Sequence, residues 1–390
     1  MALLPIPNAQ QQVHSAQLAS HTAEQISAKG GWIPFSDFMH MALYTPRLGY
    51  YSGGAVKFGQ TGDFVTAPEI SPLFAQTIAL QYAQLQAAQS LAATEADILE
   101  LGAGTGKLAA DLLLELQHLN SLPKQYFILE VSDYLRQIQH ENLLKNLPAD
   151  IFKRVVWLNI LPANFNGLVL ANEVLDALPV HLITKQNDFL FERGVTFNNC
   201  FVWQDKPLPP GKLFDEVSAR NLPNDYLTEF CPAAAGLVAS LAGMLQTGAI
   251  LLIDYGFGAT EYYHPQRKQG TLMCHFQHYA HDNPLINVGL QDITAHVNFS
   301  QTAQISLPCE PHGTRLAGYV NQAQFLINCG ILSILQRYSP DDLGYIKLAA
   351  AAQKLLSPAE MGELFKVIAF TKNIDIELIG FKSGDKSHTL

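Results

Sequence analysis

The sequence predicts an α/β fold, a parallel sheet with helices on both faces, and three observations predict it. Short apolar runs alternate with amphipathic ones between about residues 97 and 178, the pattern of strands joined by crossover helices. The run Asp97-Ile98-Leu99-Glu100-Leu101-Gly102-Ala103-Gly104-Thr105-Gly106-Lys107 passes from an apolar segment through three glycines at every second position. Leu108, Leu112, Leu113 and Leu116 follow at helical spacing, so the whole reads as strand, glycine turn, helix. Finally, 48% of the 390 residues are hydrophobic, ample for a large core and for two domains or one elaborated domain.

Residues 1–30, rich in Gln, Ala, Ser and His, are expected to form a loosely attached helix. Residues 31–70 are dense in Gly, Pro and aromatics and read as an ordered lid or loop region rather than regular structure. A helix begins at Ser71-Pro72, with Ser as cap and Pro in the first turn, and carries Phe74, Ile78 and Tyr82 at steps of four. Strands are expected at 97–101, 125–130, 154–158 and 167–172, and helices at 106–118, 132–145 and 173–178. Residues 182–204 hold β-prone runs broken at Arg193-Gly194 and Asn198-Asn199, which suggests an inserted antiparallel hairpin. Pro-rich 207–210 and Pro223 mark a loop. A long helix over about 225–246 then leads through Gly248 into the strand AILLIDYGF. The remainder, about 290–390, mixes helices with two strands, FKVIAFTK at 365–372 being the last.

A glycine turn at a helix N-terminus lets a ligand lie against bare backbone. The dinucleotide fingerprint places glycines at positions one, three and six of such a turn. Counted from Gly102, position six is Lys107, so that match fails. The phosphate-binding loop needs Gly-Lys followed by Ser or Thr, with another glycine five residues earlier. Here Leu108 follows Lys107 and the earlier position is Leu101, so that fails too. What remains, Glu100-x-Gly102-x-Gly104-x-Gly106, resembles the first motif of class I S-adenosylmethionine methyltransferases. The resemblance implies that the turn meets the cofactor's amino-acid end rather than a pyrophosphate. Glu130 ends the next apolar strand, where a carboxylate can accept both hydrogen bonds of a ribose diol, and Ser132 caps the helix after it.

Asn172 and Glu173 stand at the carboxyl end of the fourth strand, the edge at which open α/β sheets bind ligands. Methyl transfer is an in-line displacement at a sulfonium carbon. The enzyme has to align donor and acceptor and keep the acceptor nitrogen's charge tolerable. A carboxylate beside a guanidinium does the second, which makes Glu173 the first catalytic candidate, with Asp176 as a neighbour. The alternative is that Asn172 and Glu173 only cap a following helix. Asp292 and His296 are further catalytic candidates, able to pair with each other or serve the substrate pocket, and packing roles stand beside these. His275, His278 and His281 recur at steps of three, but no carboxylate or cysteine pattern completes a metal site, and none is expected.

The bulk numbers exclude other classes. A net charge of −10 with 15% charged residues disfavours nucleic acid, whose backbone calls for a basic face. The five cysteines, Cys200, Cys231, Cys274, Cys309 and Cys329, include no Cys-x-x-Cys pair, which fits a reducing compartment. No apolar run has the length of a membrane span. The first 30 residues hold no Arg and only Lys29, so no signal or transit peptide is evident and a bacterial cytoplasm is the expected location.

Taken together, ALYTPRLGYY, GDFVTAPEISPLF, ELGAGTGKLAADLL, ANEVLDALPV, LLIDYGF and QDITAHVNF resemble the MidA family of class I methyltransferases, over about residues 30 to 372. The resemblance implies a seven-stranded, Rossmann-like S-adenosylmethionine-dependent fold with an N-terminal extension and an insertion after the fourth strand. On that plan, 1–70 is the extension and cofactor lid, 71–181 and 247–372 the methyltransferase core, 182–246 an inserted hairpin and helix, and 373–390 a tail. It also implies protein arginine methylation, which in mitochondrial members forms symmetric dimethylarginine on a respiratory complex I subunit. Gly102, Gly104, Gly106 and Glu130 would then hold S-adenosylmethionine, with Glu100 and Val131 beside them. Thr66, Glu69, Asn172 and Glu173 would line the cofactor and acceptor pocket. The stretch Val156-Trp157-Leu158-Asn159 lacks the acid that many methyltransferases place near the adenine, so Asn159 or the backbone of Ile160 would serve instead. The partner expected is a protein bearing an acceptor arginine. The alternatives are an assembly chaperone that keeps the fold with little turnover, and a small-molecule methyltransferase.

Overall fold

The alternating apolar runs become the parallel strands β1 (Asp97–Leu101), β2 (Tyr126–Leu129), β3 (Val155–Leu158) and β4 (Phe165–Asn172). Strands β5 (Leu245–Phe257), β6 (Val297–Asn298), β7 (Arg315–Asn321) and β8 (Phe365–Lys372) join them in one sheet. The computed structural model of the chain describes residues 4–53, 66–91, 96–306 and 313–390. Among these the sheet runs β7-β8-β5-β4-β1-β2-β3, with the two-residue β6 beside β5. Strand β8 is antiparallel to both its neighbours, and the other pairings are parallel. Among the described residues this sheet has eight strands, one more than the seven that the family resemblance implies.

Register decides where the site falls. Leu101 pairs with Leu129 and Ala171, and Leu129 with Leu158. The strands therefore end together, and the glycine turn, Glu130, Asn159 and Asn172-Glu173 emerge at one carboxyl edge. Helices α1 (Pro72–Leu91), α2 (Lys107–His118) and α3 (Asp133–Asn146) cover this half of the sheet. The Phe74-Ile78-Tyr82 stripe of α1 and Leu108, Leu112, Leu113 and Leu116 of α2 are buried in its core. Each such side chain contributes roughly 1.5–3 kcal/mol on leaving water.

The chain folds as two compact units. Their described parts lie within Val65–Leu175, Ala235–Gly258 and Val297–Leu390 for the unit of this sheet. For the second unit they lie within Met1–Phe64, Asp176–Ala234 and Ala259–His296. In the second unit the N-terminal helix spans Ala9–Ala28, opened by a capping box between Asn8 and Gln11. An antiparallel sheet runs Ile33–Pro34, Phe189–Asn198, His181–Gln186, Tyr226–Phe230, with Cys200–Pro207 on the other side of Phe189–Asn198. A second sheet joins Tyr279–His281, Met273–Phe276 and Asp292–Thr294.

Several expectations are corrected. Residues 31–70, read as irregular, contain the buried helix Phe35–Tyr44 and the helical turn Ala67–Ile70. Their Gly59–Val65 part lies outside the described residues. No helix forms at 173–178, because Glu173 takes a left-handed φ of 52° and the chain turns instead. The hairpin break at Arg193-Gly194 is absent. The two-residue turn is Asn187-Asp188, both at positive φ, as the twist of a tight hairpin requires. The break at Asn198-Asn199 is real. The helix expected over 225–246 is a strand, Tyr226–Phe230, then a helix, Pro232–Met244, with Pro in its first turn. Among the described residues of 290–390 there are four strands rather than two.

Candidate cofactor and acceptor site

Gly102, Gly104 and Gly106 all take positive φ, 62°, 54° and 81°, a conformation that glycine adopts at the least cost. A Cβ on Gly104 would meet nothing within 4 Å, so that stretch of bare backbone faces open space. Helix α2 follows with no side-chain cap and no acid in its first turn. Its first amides are thus left for an incoming acceptor. The turn is held from outside. Thr105 Oγ1 donates to Glu69 Oε1 (2.6 Å), and Asn142 Nδ2 to the Thr105 carbonyl (2.9 Å). Gln139 Nε2 donates to the Gly104 carbonyl (3.1 Å). The Thr66 carbonyl accepts from the amides of Glu69 and Ile70 and so sets the helical turn that presents Glu69.

Glu130 is 5% exposed. Oε1 accepts from the Ser132 amide (2.9 Å) and Oε2 from Gln139 Nε2 (3.0 Å). The Val131 amide also donates to this carboxylate, so three of its roughly four acceptor positions are engaged and the remaining one can take a hydroxyl. Burial raises its pKa, and the bond from Ser132 opposes the rise. Ser132 caps α3 as the sequence suggests. Glu100 is buried behind, accepting from Tyr126 Oη (2.7 Å). Burial pushes its carboxyl up to about 7, the Tyr126 bond lowers it, and the charge of Glu130 raises it.

At the ends of β2 and β3, Arg136 donates to the Glu130 carbonyl (2.7 Å), to Asn159 Oδ1 (2.8 Å) and to the Leu158 carbonyl. Val131 and Ile160 stand 74% and 78% exposed beside these ends, two apolar side chains left in water where a flat base could cover them. At the end of β4, Asn172 Nδ2 donates to Glu173 Oε1 (3.1 Å), and its Oδ1 is buried with no hydrogen-bond partner. The Glu173 amide donates to the Ile253 carbonyl (2.9 Å). The Leu175 amide donates to Oδ2 of Asp254, which is wholly buried (3.0 Å). The turn carrying Glu173 is therefore fixed by the neighbouring strand, as a non-glycine residue at positive φ requires.

The remaining catalytic candidates belong to the second unit. Asp292, 1% exposed, accepts at Oδ1 from Tyr51 Oη (2.8 Å), and Tyr51 stacks on Tyr44. The His296 amide donates to Thr271 Oγ1 (3.0 Å). Asp176 is buried in the same unit, its carbonyl accepting from the Ala295 amide. Glu229, which sequence reading missed, is 1% exposed and accepts from the amides of Thr271 and Leu272. Also missed were Thr105, Arg136, Gln139 and Asp254. Only Asp254 leaves a local signal, an acid inside an apolar strand. Among the described residues no group of three or more His, Cys, Asp or Glu is placed to hold a metal ion, and no helix is long and apolar enough to cross a membrane.

The parallel sheet with its glycine turn, the ribose-type carboxylate at the next strand end and the orphaned Asn172 oxygen fit a nucleoside with a charged amino-acid tail. That defines a class I S-adenosylmethionine-dependent methyltransferase. A family model for such methyltransferases matches residues 74–318. A mitochondrial protein arginine methyltransferase, NDUFAF7, from Danio rerio is 30% identical over 387 residues, covering 90% of this chain and 85% of that one. The Homo sapiens protein of that name is 28% identical, covering 87% and 80%. A Burkholderia thailandensis protein, in a crystal structure bound to S-adenosyl-homocysteine, is 46% identical with a TM-score of 0.94 over 100% of both chains. The chain belongs to the MidA-like family of class I methyltransferases, and its cofactor is S-adenosylmethionine.

Proposed function

We propose that the chain methylates an arginine side chain of a protein, with a respiratory complex I subunit or its bacterial equivalent as the acceptor that the family resemblance implies. The observation that carries this reading is Glu173, a carboxylate at the ligand-binding edge on a turn pinned by Ile253 and Asp254. The names of relatives at about 30% identity support a protein arginine as the acceptor.

When bound, S-adenosylmethionine supplies an electrophilic methyl group on its sulfonium. In this reading the backbone from Gly102 to Gly106 and the first amides of α2 take its amino-acid end. Glu130 accepts the ribose hydroxyls, and Val131 and Ile160 cover the adenine beside Asn159. Glu69 and Thr66 keep the turn in shape, and Glu100, held by Tyr126 Oη, stays buried in β1 ahead of it. The Asn172 oxygen would accept an N–H, and Glu173 would orient the guanidinium and balance its charge while the methyl leaves the sulfonium, which becomes the neutral thioether of S-adenosyl-homocysteine, and the nitrogen releases one proton to water. Aligning the acceptor nitrogen in this way is the larger part of catalysis for an in-line transfer. The roles of Asp292 and His296 rest on the sequence alone.

With methyl-labelled S-adenosylmethionine and lysate of a strain lacking the gene, the purified protein should label a protein band. Glu173→Gln should slow labelling about thirtyfold while S-adenosyl-homocysteine affinity stays within about threefold. Wild-type labelling by the variant would contradict the role of Glu173. No labelled protein, with cofactor binding intact, would contradict a protein acceptor.

A further inference from the structure

Gln139 lies on α3 with none of its surface exposed, and its side chain ties three strand ends together. Its Nε2 donates both to Glu130 Oε2 (3.0 Å) and to the Gly104 carbonyl (3.1 Å). Its Oε1 accepts from the indole Nε1 of Trp157 on β3 (3.0 Å). An amide of this kind offers two N–H groups and one oxygen, and all three are engaged here. The backbone is close as well. A Cβ on Gly106 would stand 3.3 Å from the Gln139 Cα, so α3 lies directly against the turn.

We infer that Gln139 is a positioning residue for S-adenosylmethionine, coupling the ribose carboxylate to the glycine turn so that both ends of the cofactor meet one preassembled unit. The inference rests on the reading of Glu130 as the ribose partner. Three features of the geometry support it. The first is the choice of an amide. A neutral donor holds one carboxylate oxygen in place without neutralising the charge that a diol would use, which a lysine at the same position would do. The second is the Gly104 carbonyl. Holding it fixes the plane of the Gly104-Thr105 peptide, and so the direction of the Thr105 N–H at the open part of the turn. The third is Trp157. Its N–H fixes which end of the amide faces Glu130, because Oε1 is committed to the indole and Nε2 has to point at the acceptors. A buried donor or acceptor left without its partner costs about 1–3 kcal/mol, so this orientation is strongly preferred over the flipped one. Asn142, one helical turn along α3, holds the next carbonyl of the turn, that of Thr105, which makes α3 the element that shapes the cofactor loop.

The experiment measures S-adenosyl-homocysteine binding to the full chain by calorimetry, for wild type, Glu130→Gln, Gln139→Leu and the double variant. Circular dichroism checks that each variant is folded. Each single change should weaken binding about tenfold or more, because Glu130→Gln removes the ribose carboxylate and Gln139→Leu removes the group that holds both it and the Gly104 carbonyl. The double variant should lie within about threefold of Glu130→Gln, because residues acting through one unit are not additive. Wild-type affinity in Gln139→Leu, or a double variant weakened by the full product of the two single effects, would overturn the inference. Wild-type affinity in Glu130→Gln would instead overturn the ribose reading on which it rests. If Gln139→Leu does not fold, Gln139→Glu takes its place. It keeps an acceptor for Trp157 and loses the donor to Glu130, so it should bind at least about tenfold more weakly near pH 8, and equal binding there would overturn the inference.

Discussion

Glu100 carries a protonation cost that the sheet edge imposes. Its carboxyl sits at about 7 in the folded chain against an ordinary 4.5, chiefly through burial. Between those two values the folded state holds a proton that the unfolded state has released. Stability from this group is therefore full below about 4.5 and falls as pH rises toward about 7. Glu100→Gln keeps an acceptor for Tyr126 and removes the titration. Denaturant unfolding near pH 5 and near pH 8 should show a smaller loss of stability on raising pH in the variant than in wild type. Equal losses would contradict the raised pKa that burial gives Glu100. At this scale the glycine turn was legible, because positive φ at three alternate positions demands residues that the sequence displays. Gln139, Trp157 and Arg136 were not legible. Their bonds join residues far apart in sequence or on different elements, and neutral polar contacts of that kind leave no period and no motif.

Strands and helices with a clean period were legible within a few residues, β1, β4, β8 and α2 among them. The errors fell where a distant element decides the local conformation. Gly194 reads as a chain break, yet Phe189–Asn198 runs straight through it. A Cβ there would stand 2.1 Å from the Ile33 carbonyl and 2.4 Å from the Trp32 ring, so glycine is needed for close approach rather than for a turn. Gly194→Ala should destabilise the chain by about 2–4 kcal/mol in a denaturant titration, as overpacking and backbone displacement do. A change below about 0.5 kcal/mol would show that the edge strand Ile33–Pro34 yields easily. The segment after Asn172 was misread as a helix for a related reason. Asn-Glu ahead of Leu175 resembles a cap, but Asp254 on β5 takes the Leu175 amide and Ile253 takes that of Glu173. The same capture holds the catalytic candidate Glu173 still.

For the molecule as a whole, the unit carrying the central sheet contains the glycine turn, Glu130 and Glu173, so the proposed cofactor and acceptor residues share one scaffold. Family membership and the donor follow from the matched family model and from near-complete coverage of a structure that binds S-adenosyl-homocysteine. The acceptor is the finer claim, and it stands on Glu173 and on the names of relatives. Its most direct test is to digest the protein labelled in the lysate and locate the methyl group by fragment mass spectrometry. The account predicts a methylated arginine that accumulates about thirtyfold more slowly when Glu173→Gln replaces the wild-type chain. A methyl group found on any other residue type, or on small molecules alone, would contradict it.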